Sequence, residues 1–473
     1  MINHFIRQKI AEVFPFKPTP EQDLAMQALS EFLVSHDSDR ILLLKGYAGT
    51  GKTTLLGATV KMMDALHQKA VLMAPTGRAA KVFSEYAHHS AFTIHKKIYR
   101  QQSFSHEFSG FSLSDNLHKD TVFIVDEASM ISNEYTGTAV FGSGYLLDDL
   151  IHYIYTGENC RLILTGDPAQ LPPVTLTYSP ALSVGYLAKY HLKVTEIQLT
   201  QVVRQQQDSG ILLNATHIRE ALRKGKIDMY PKIRTEHFTD IQKINGSELI
   251  EEISSAYSRD GMDDTIIICR SNKNANIYNN GIRNRILYRE EELSSGDRLM
   301  VVKNNYFWSK AHKDHEFIAN GEMVQVLRVR RTEEMYGFRF CTVLVRFEDY
   351  DTEMELKIMP DTLQSESPAL SKEQNDRLFA SVSEGYAYIR TKSERIKKIK
   401  EDPYFNAIQV KYAYAVTCHK AQGGQWSNVF LDIGYVTEEM MGEDFYRWLY
   451  TAFTRATKRL YLVNWRLGNG ENN

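Results

Sequence analysis

Four features are scarce in this sequence: cysteine, glycine together with proline, an excess of one charge, and long apolar runs. Only 4 cysteines occur, and their wide spacing matches neither a metal-ligand pattern nor a disulfide framework. Gly 27 and Pro 12 are too few for a low-complexity or collagen-like chain. The cysteines therefore predict a reducing compartment, and the composition predicts a folded protein.

Charge and hydropathy restrict the function further. Lys and Arg number 56 against 58 for Asp and Glu, so the net charge of -2 gives no sign of a polyanionic partner. Any nucleic-acid surface must then arise from local segregation of charge. Apolar residues form no run long enough to cross a membrane, and the N-terminus lacks a signal-like apolar segment. We therefore expect a cytoplasmic protein with no membrane partner.

Strand and helix patterns alternate through the first part of the chain. Short apolar runs ending in polar residues recur there, as in ILLLKG, VLMAPT, TVFIVDE and RLILTGD. Helix-period stretches such as TTLLGATVKMMDALH separate them, which predicts buried parallel strands in a doubly wound α/β sheet. We expect residues 1–199 to form this domain, with a ligand at the carboxyl ends of its strands.

The same pattern returns in the second half of the chain and is interrupted once. TIIICRS, VFLDI and RLYLVNW predict a second sheet domain, which we place at residues 200–296 and 401–473. Between these parts, MVQVLRVRR and RFCTVLVRFED alternate apolar and polar residues, which predicts a small β-barrel over residues 297–400. The predicted fold class is α/β, with two doubly wound parallel sheets and an inserted barrel.

The strongest local pattern is GYAGTGKT, residues 46–53, because it follows a predicted strand and opens a predicted helix. Its glycines allow backbone N–H groups to face phosphates, and the helix N-terminus favours an anion. Lys52 would neutralise the β and γ phosphates of ATP, and the Thr53 hydroxyl would ligate Mg²⁺. The residues expected around the nucleotide here are Gly46, Ala48, Gly49, Thr50, Gly51, Lys52, Thr53 and Thr54.

Two further strand ends carry groups suited to hydrolysis. In VDEAS, Asp126 can hold the water shell of Mg²⁺, and Glu127 can orient and deprotonate the attacking water. In TGDPAQLPPV, Gln170 can sense the γ-phosphate or its attacking water, and a proline-stiffened turn is the alternative. Together with the phosphate loop, these groups predict an ATPase site.

From residue 19 to residue 458, the sequence resembles the superfamily 1 DNA helicases of the B type, the RecD-like, Dda-like and Pif groups. Besides the motifs above, the resemblance rests on TPEQ, APTGRAA, TIH, LTQVVRQ, GDRLMVVKNNY with NGE, YAVTCHKAQGGQW and YTAFTRATKRL, which follow in the family's order. It implies two RecA-like domains, an SH3-like barrel, and hydrolysis of ATP with Mg²⁺.

The resemblance also implies roles for individual residues. Gln22, in TPEQ, would read adenine. Arg204, in LTQVVRQ, and Arg455, in YTAFTRATKRL, would reach the γ-phosphate from the second domain and stabilise charge in the transition state. Gly424 belongs to YAVTCHKAQGGQW, which is similar to the motif that couples DNA to the nucleotide.

Small polar side chains at strand ends can bind a DNA backbone without bulk. His95 taken alone would more often be a capping or core histidine. The residues expected to contact DNA are Thr76, Arg78, Thr93, His95, Asn304, Thr417 and His419.

Aromatic residues leave two alternatives open. Residues 99–116 lie where members of the family insert a hairpin that splits the duplex, and we place this pin-like insertion at about 96–118. Its spaced rings, Phe104, Phe108 and Phe111, fit either a wedge or a loop folded onto the domain. Four other rings fit either base stacking or core packing: Tyr306, Phe307, Trp308 and Trp426.

The glycine-containing stretch at residues 133–150 predicts a mobile surface loop. For the whole chain, we expect a monomeric helicase that moves 5′ to 3′ on single-stranded DNA and opens duplexes at junctions. The direction rests on the resemblance alone. One rival is a DNA-stimulated ATPase that remodels protein–DNA complexes without strand separation. Another is a phosphate-loop switch, whose ATPase activity would be indifferent to DNA.

Overall fold

The structure is a computed structural model that describes residues 2–35, 37–101, 111–135, 141–203, 209–227, 230–311, 317–348 and 352–465. Within these ranges the chain forms two parallel sheets flanked by helices and one small closed barrel. The predicted fold class is therefore confirmed. None of the helices in these ranges has both the length and the apolarity that a membrane span requires.

The first lobe, residues 2–199, is built on a parallel sheet. Its helices are α1 (Ile2–Val13), α2 (Pro20–Val34), α3 (Lys52–Ala65), α4 (Gly77–Ala87), α5 (Ile94–Ile98), α6 (Leu146–Tyr155) and α7 (Val184–Leu187). Its strands are β1 (Arg40–Gly46), β2 (Lys69–Ala74), β3 (Ala91–Thr93), β4 (Tyr99–Gln101), β5 (Phe111–Leu113), β6 (Thr121–Val125), β7 (Arg161–Gly166) and β8 (Lys193–Leu199). The sheet order is β3-β2-β6-β7-β1-β8, so the carboxyl ends of these strands lie at one edge.

Local sequence explains how these elements form. Leu42, Leu43 and Leu44 are buried in β1, as expected for a central strand covered by helices on both faces. At the start of α2, the backbone N–H of Gln22 donates to the Thr19 hydroxyl at 3.2 Å, while the backbone N–H of Thr19 donates to Gln22 Oε1 at 3.0 Å. This reciprocal capping box fixes the entry of α2 beside the phosphate loop.

The segment at residues 133–150 is described except for residues 136–140, and its second part differs from the expected mobile loop. Helix α6 begins at Leu146, and Leu147 and Leu150 are buried against the sheet. Asn133 also holds the start of this helix, because its Nδ2 donates to Asp148 Oδ1 at 2.7 Å. Gly142 and Gly144 therefore precede a packed helix. The helical spacing of its apolar residues outweighs the tendency of the glycines to form a loop.

The second lobe and the barrel alternate along the chain. The second lobe begins with α8 (Gly210–Lys224), β9 (Ile241–Ile244), α9 (Leu249–Asp260), β10 (Thr265–Cys269) and α10 (Asn272–Arg285). The barrel region follows with β11 (Arg298–Val301), β12 (Met323–Met335), β13 (Phe338–Phe347), β14 (Thr352–Met359), α11 (Lys372–Gly385), α12 (Lys392–Lys400) and β15 (Ile408–Tyr412). The second lobe ends with β16 (Ala415–Thr417), α13 (Cys418–Ala421), β17 (Trp426–Asp432), α14 (Glu443–Phe453) and β18 (Ala456–Val463).

The second sheet has the order β16-β10-β17-β18-β9, and β11 to β15 close the barrel. The barrel extends past the boundary at residue 400 that the sequence predicts, because β15 pairs with β11 and β14. Asp297, fully buried where the barrel begins, anchors it to the second lobe by accepting from Arg283 Nε (3.0 Å), Arg289 Nη1 (2.8 Å) and Tyr414 Oη (2.8 Å).

Candidate active site

The phosphate loop connects β1 to α3 in a conformation that depends on glycine. Gly49 and Gly51 have φ of +77° and +84°, in the left-handed region that other residues rarely adopt. An added Cβ at Gly51 would also lie 2.7 Å from Nε2 of Gln22. The loop therefore brings the N-terminus of α3 to the carboxyl edge of the sheet, where its N–H groups can bind an anion.

Lys52 and Thr53 open α3 and turn their polar ends toward the strand ends. The Lys52 ammonium donates to the carbonyl of Tyr47 at 3.0 Å, within the loop itself. The Thr53 hydroxyl donates to Asp126 Oδ2 at 3.2 Å, which links α3 to the end of β6. A hydroxyl and a carboxylate at this separation are oxygen donors of the kind that Mg²⁺ takes.

Asp126 and Glu127 follow β6 at the same edge. Asp126 Oδ1 accepts the backbone N–H of Glu127 at 2.8 Å, and Glu127 has a left-handed backbone with φ of +54°. Burial raises the pKa of Asp126, opposed by the ammonium of Lys52. Burial also raises the pKa of Glu127, opposed mainly by Arg455. Two adjacent carboxylates with raised pKa values create a site that favours a bound cation or proton transfer.

The segment after β7 supplies a third polar group. Gln170 is 5% exposed, and its Oε1 has no hydrogen-bond partner within the described ranges. Buried polar atoms of this kind are rare in folded proteins and often mark a position that a ligand or water completes. Asp167, in the same segment, is buried and accepts the N–H of Ala169 at 2.9 Å.

The second lobe forms the opposite wall. Arg455 lies between α14 and β18 and is 3% exposed. Its guanidinium donates to Thr451 O (3.0 Å), Gly424 O (3.1 Å) and Thr454 Oγ1 (3.1 Å), which fixes the side chain at the end of α14. Arg455 therefore reaches the carboxylate edge of the first lobe already fixed in place.

One cavity of about 450 Å³ lies between these walls. It contains most of the predicted nucleotide residues from both lobes. They are Gln22, Ala48, Gly49, Gly51, Lys52, Thr53, Thr54, Asp126, Glu127, Gln170 and Arg455. Gly46, Thr50 and Gly424 instead support the wall: Thr50 is buried, and Gly424 binds Arg455 through its carbonyl. Arg204 lies outside the described residues.

Gln22 joins the first helix of the site to the phosphate loop. Its Nε2 donates to the carbonyl of Thr50 at 2.9 Å, and its Oε1 accepts from Thr19. Each end of the amide keeps a further hydrogen-bonding capacity, one N–H and one lone pair, with which it could bind a base. The structure places Gln22 in the cavity wall, and its reading of adenine stays a prediction.

Sequence reasoning missed several residues of this cavity. Phe14, Phe16 and Tyr86 line it beside Gln22, and Phe16 is 64% exposed. Tyr47 lines it as well, under the guanidinium of Arg219 at 4.3 Å from the ring centre. The aromatic FPF before TPEQ was the one local signal for a base-stacking surface. The contact with Arg219 of α8 has no local signal.

The predicted DNA residues of the first lobe follow β2 and β3. Thr76 and Thr93 accept from Ala79 N and Lys96 N, both at 3.2 Å, as caps of α4 and α5. Thr93 is buried. Burial lowers the pKa of His95 to about 4, and its ring packs edge-on against Phe141 at 4.8 Å. His95 is therefore packed against a neighbouring ring, and its contact with DNA stays a prediction.

Arg78 points toward the second lobe. Its Nη2 donates to the carbonyl of Gln425 at 3.1 Å, and the guanidinium lies 4.3 Å from the ring centre of Trp426. Trp426 is 1% exposed, so it is a packed residue and base stacking is wrong for this side chain. The reason is β17, which begins at Trp426 and carries the indole into the core.

Second-lobe candidates lie at the end of β16 and near the segment between β11 and β12, residues 302–322, which we call the barrel entry. Lys420 Nζ donates to Asn320 Oδ1 at 2.6 Å, and Asn320 N donates to Asn304 Oδ1 at 2.6 Å. Thr417 is half-buried and His419 is exposed beside them. Gly423 joins this group to the first lobe, because an added Cβ there would lie 3.2 Å from Thr76 Oγ1. The motifs predicted to contact DNA in the two lobes therefore lie next to each other.

The rings at the barrel entry pack against the first-lobe hairpin of β4 and β5. Tyr306 lies 4.4 Å from Phe111 and 5.7 Å from Phe141 between ring centres. Trp308 donates its Nε1–H to the carbonyl of Asn406 at 2.9 Å, and Phe307 contacts Trp308 edge-on at 5.1 Å. Phe104 and Phe108 lie outside the described residues, so the choice between wedge and folded loop stays a prediction.

Comparisons with known proteins agree with this arrangement. Residues 19–239 match the family described as AAA domain, and residues 412–463 match the UvrD-like helicase C-terminal domain. An uncharacterized protein of Acanthamoeba polyphaga mimivirus is 24% identical over 93% of this chain and 98% of its own length. The ATP-dependent RecD2 DNA helicase of Deinococcus radiodurans is 25% identical over 89% of this chain, which spans 46% of that enzyme.

Two further proteins are similar to this chain over most of its length. The ATP-dependent DNA helicase dda of Enterobacteria phage T4 is 22% identical over 82% of this chain and 86% of its own length. A Pif1 helicase from Bacteroides, crystallised with ADP-AlF3 and single-stranded DNA, is 15% identical with a TM-score of 0.47, covering 94% of this chain and 92% of the other.

Proposed function

Because this chain belongs to the superfamily 1 helicases of the B type, the group of RecD-like, Dda-like and Pif enzymes, we propose that it is an ATP-driven DNA helicase. It moves 5′ to 3′ along single-stranded DNA and separates the duplex ahead. The observation that carries this proposal is the cavity in which Lys52 of the first lobe and Arg455 of the second face Asp126, Glu127 and Gln170. The direction of movement rests on family membership.

ATP binds with its phosphates at the N-terminus of α3. Lys52 exchanges the Tyr47 carbonyl, now 3.0 Å away, for phosphate oxygens, because a charged acceptor binds an ammonium more strongly than a neutral one. Thr53 and Asp126 are the residues that would hold Mg²⁺, which supplies positive charge to the phosphates when bound. The raised pKa of Asp126 fits this role, since a nearby cation favours its charged form.

Hydrolysis then requires a base, a positioned water and a cation at the γ-phosphate. Glu127 takes the proton of the attacking water, and Gln170 offers its unpaired Oε1 to orient that water. Arg455 stabilises the charge that develops on the transferred group, as arginines do in related phosphoryl transfers. Arg204 is proposed to assist Arg455 from its segment of the second lobe.

DNA runs across the edge where the motifs of the two lobes meet. Thr76 in the first lobe and Thr417, His419 and Asn304 in the second contact its phosphates, and Arg78 joins them when the lobes part. Closing and opening of the lobes around ATP then changes the spacing of the two DNA grips, which moves the strand. Both halves of the cleft come from one chain, so we propose a monomer as the working unit.

The first test is ATP turnover with and without single-stranded DNA. We expect DNA to stimulate turnover and Lys52→Ala to abolish it, because Lys52 is the one lysine that lines the cavity within the described ranges. DNA binding should survive, since Lys52 lies in the nucleotide cavity. Loss of a phosphate-binding cation of this kind costs about 10² or more in rate.

Lys61→Ala provides the control, because Lys61 lies on the same helix α3 but outside the cavity. Turnover that persists in Lys52→Ala removes the phosphate-loop assignment. Turnover that is indifferent to DNA in the wild-type chain favours a nucleotide switch instead.

A further inference from the structure

The N–H of Ala48, in the phosphate loop, is bound by a residue from the other lobe. Ala48 N donates to the hydroxyl oxygen of Tyr450 at 2.9 Å, and that hydroxyl donates to Asp167 Oδ2 at 2.7 Å. A carboxylate can only accept, so the hydroxyl proton must point to Asp167 and the oxygen lone pairs to Ala48. The direction of the chain of hydrogen bonds is thereby fixed.

Tyr450 stays protonated in this position. Burial raises its pKa well above the ordinary value for tyrosine, and the Asp167 carboxylate raises it further. The residue is 1% exposed, and Asp167 is equally buried. The hydroxyl therefore bridges the lobes as a neutral group, and its position is set by both partners.

The same face of α14 binds the rest of the Asp167 segment. Arg447 Nη1 donates to the carbonyl of Pro168 at 2.6 Å, and Leu171 N donates to Thr451 Oγ1 at 2.9 Å. Residues 447, 450 and 451 lie three and four positions apart, which puts them on one side of the helix. Gln170 lines the cavity, its Oε1 has no hydrogen-bond partner among the described residues, and it lies inside the segment that they hold.

We infer that Tyr450 is a positioning residue for ATP hydrolysis, a strut that fixes Gln170 and the phosphate loop relative to one another when the lobes are closed. It acts through Ala48 and Asp167. This inference rests on the proposed ATPase function, and it concerns the step after ATP has bound. Nucleotide affinity should therefore depend on it much less than turnover.

Tyr450→Phe tests the strut, because it removes both hydrogen bonds and keeps the ring. We expect the kcat of DNA-stimulated ATP hydrolysis to fall by roughly tenfold to a hundredfold, since a small misplacement of positioning groups costs this much. The KM for ATP should change by less than about threefold. The control is Tyr461→Phe, which removes a hydroxyl from an equally buried tyrosine that bonds Arg259, away from the cleft.

A second variant, Asp167→Asn, separates a strut from general loss of structure. Because both residues act through one contact, Tyr450→Phe combined with Asp167→Asn should be no slower than the slower single variant. Three results would overturn the inference but leave the proposed function standing. They are a wild-type kcat in Tyr450→Phe, losses that multiply in the double variant, and a kcat loss that only follows a lower Tm. A wild-type chain without DNA-stimulated turnover would overturn the proposed function, and the strut with it.

Discussion

Glu127 is the residue to which we assign the general base of the proposed hydrolysis. Its left-handed φ of +54° turns the side chain off the end of β6 into the cavity, a conformation that costs energy in a residue other than glycine. Burial raises its pKa, which makes it a better proton acceptor once it is ionised. Arg455, which opposes that shift, keeps the ionised form accessible.

Glu127→Gln should therefore bind ATP but hydrolyse it about 10² to 10⁴ times more slowly, the usual loss of a general base. In the wild type, turnover should fall as the pH is lowered toward the raised pKa of Glu127, because the base becomes protonated.

Glu127→Gln should also change the stability of the folded chain, and here the variant gains where it loses turnover. A raised carboxyl pKa destabilises the folded chain above that pKa, so the variant should be more stable at neutral pH and equal to wild type in acid.

These effects can be measured by ATP binding, by turnover across pH, and by unfolding of both proteins at acidic and neutral pH. Asp64→Asn is the control, since Asp64 lies on α3 and pairs with His89 outside the cavity. Unchanged turnover in Glu127→Gln would assign the base to another group.

At the scale of elements, the sequence predicted what depends on local pattern. The runs at Ile41, Val71, Thr121 and Arg161 became β1, β2, β6 and β7 because apolar residues of this length are buried in a parallel sheet. The phosphate loop was predictable because glycines and a helix start are local features. The Arg455 cavity was expected only through the family resemblance.

What the sequence did not predict depends on contacts between distant segments. Strand β15 joins the barrel through β11 and β14. Its own residues, IQVKY, would suit a strand of the barrel or of the second parallel sheet equally well. Trp426 looked available for stacking, but β17 buries it. Tyr450 opens the motif YTAFTRATKRL, but its bridge between the lobes had no local signal, because Ala48 and Asp167 are hundreds of residues away in the chain.

The hairpin of β4 and β5 depends on the barrel entry for support. Rings from both meet in one cluster, with Phe111 and Tyr306 at 4.4 Å and Tyr306 and Phe317 at 5.4 Å between centres. A ring pair of this kind contributes about 0.5–1.5 kcal/mol. If the hairpin separates the strands, Tyr306→Ala should lower unwinding by about two- to tenfold and leave DNA-stimulated ATP turnover nearly unchanged.

A forked duplex measures this loss, with Tyr288→Ala as the control because Tyr288 is 84% exposed. Equal loss of turnover and unwinding would place the cluster in the motor instead. Unwinding that is already absent in the wild type would favour the remodelling ATPase.

At the scale of the whole molecule, contacts between the lobes join the proposed nucleotide site to the proposed DNA edge. Tyr450 connects the phosphate loop to α14, while Arg78 and Lys81 on α4 contact Gln425 of the second lobe and Glu348 of the barrel. Since the net charge is only -2, DNA binding has to use the local polar groups at this edge. We propose that a change at the nucleotide is transmitted to the strand through the same interface.

Unwinding of matched duplexes that carry either a 5′ or a 3′ single-stranded tail tests this account most directly. With ATP, the wild-type chain should separate the substrate with the 5′ tail and leave the 3′-tailed one intact, and Lys52→Ala should separate neither. Separation of the 3′-tailed substrate alone would contradict the proposed direction, and unwinding by Lys52→Ala would contradict the motor itself.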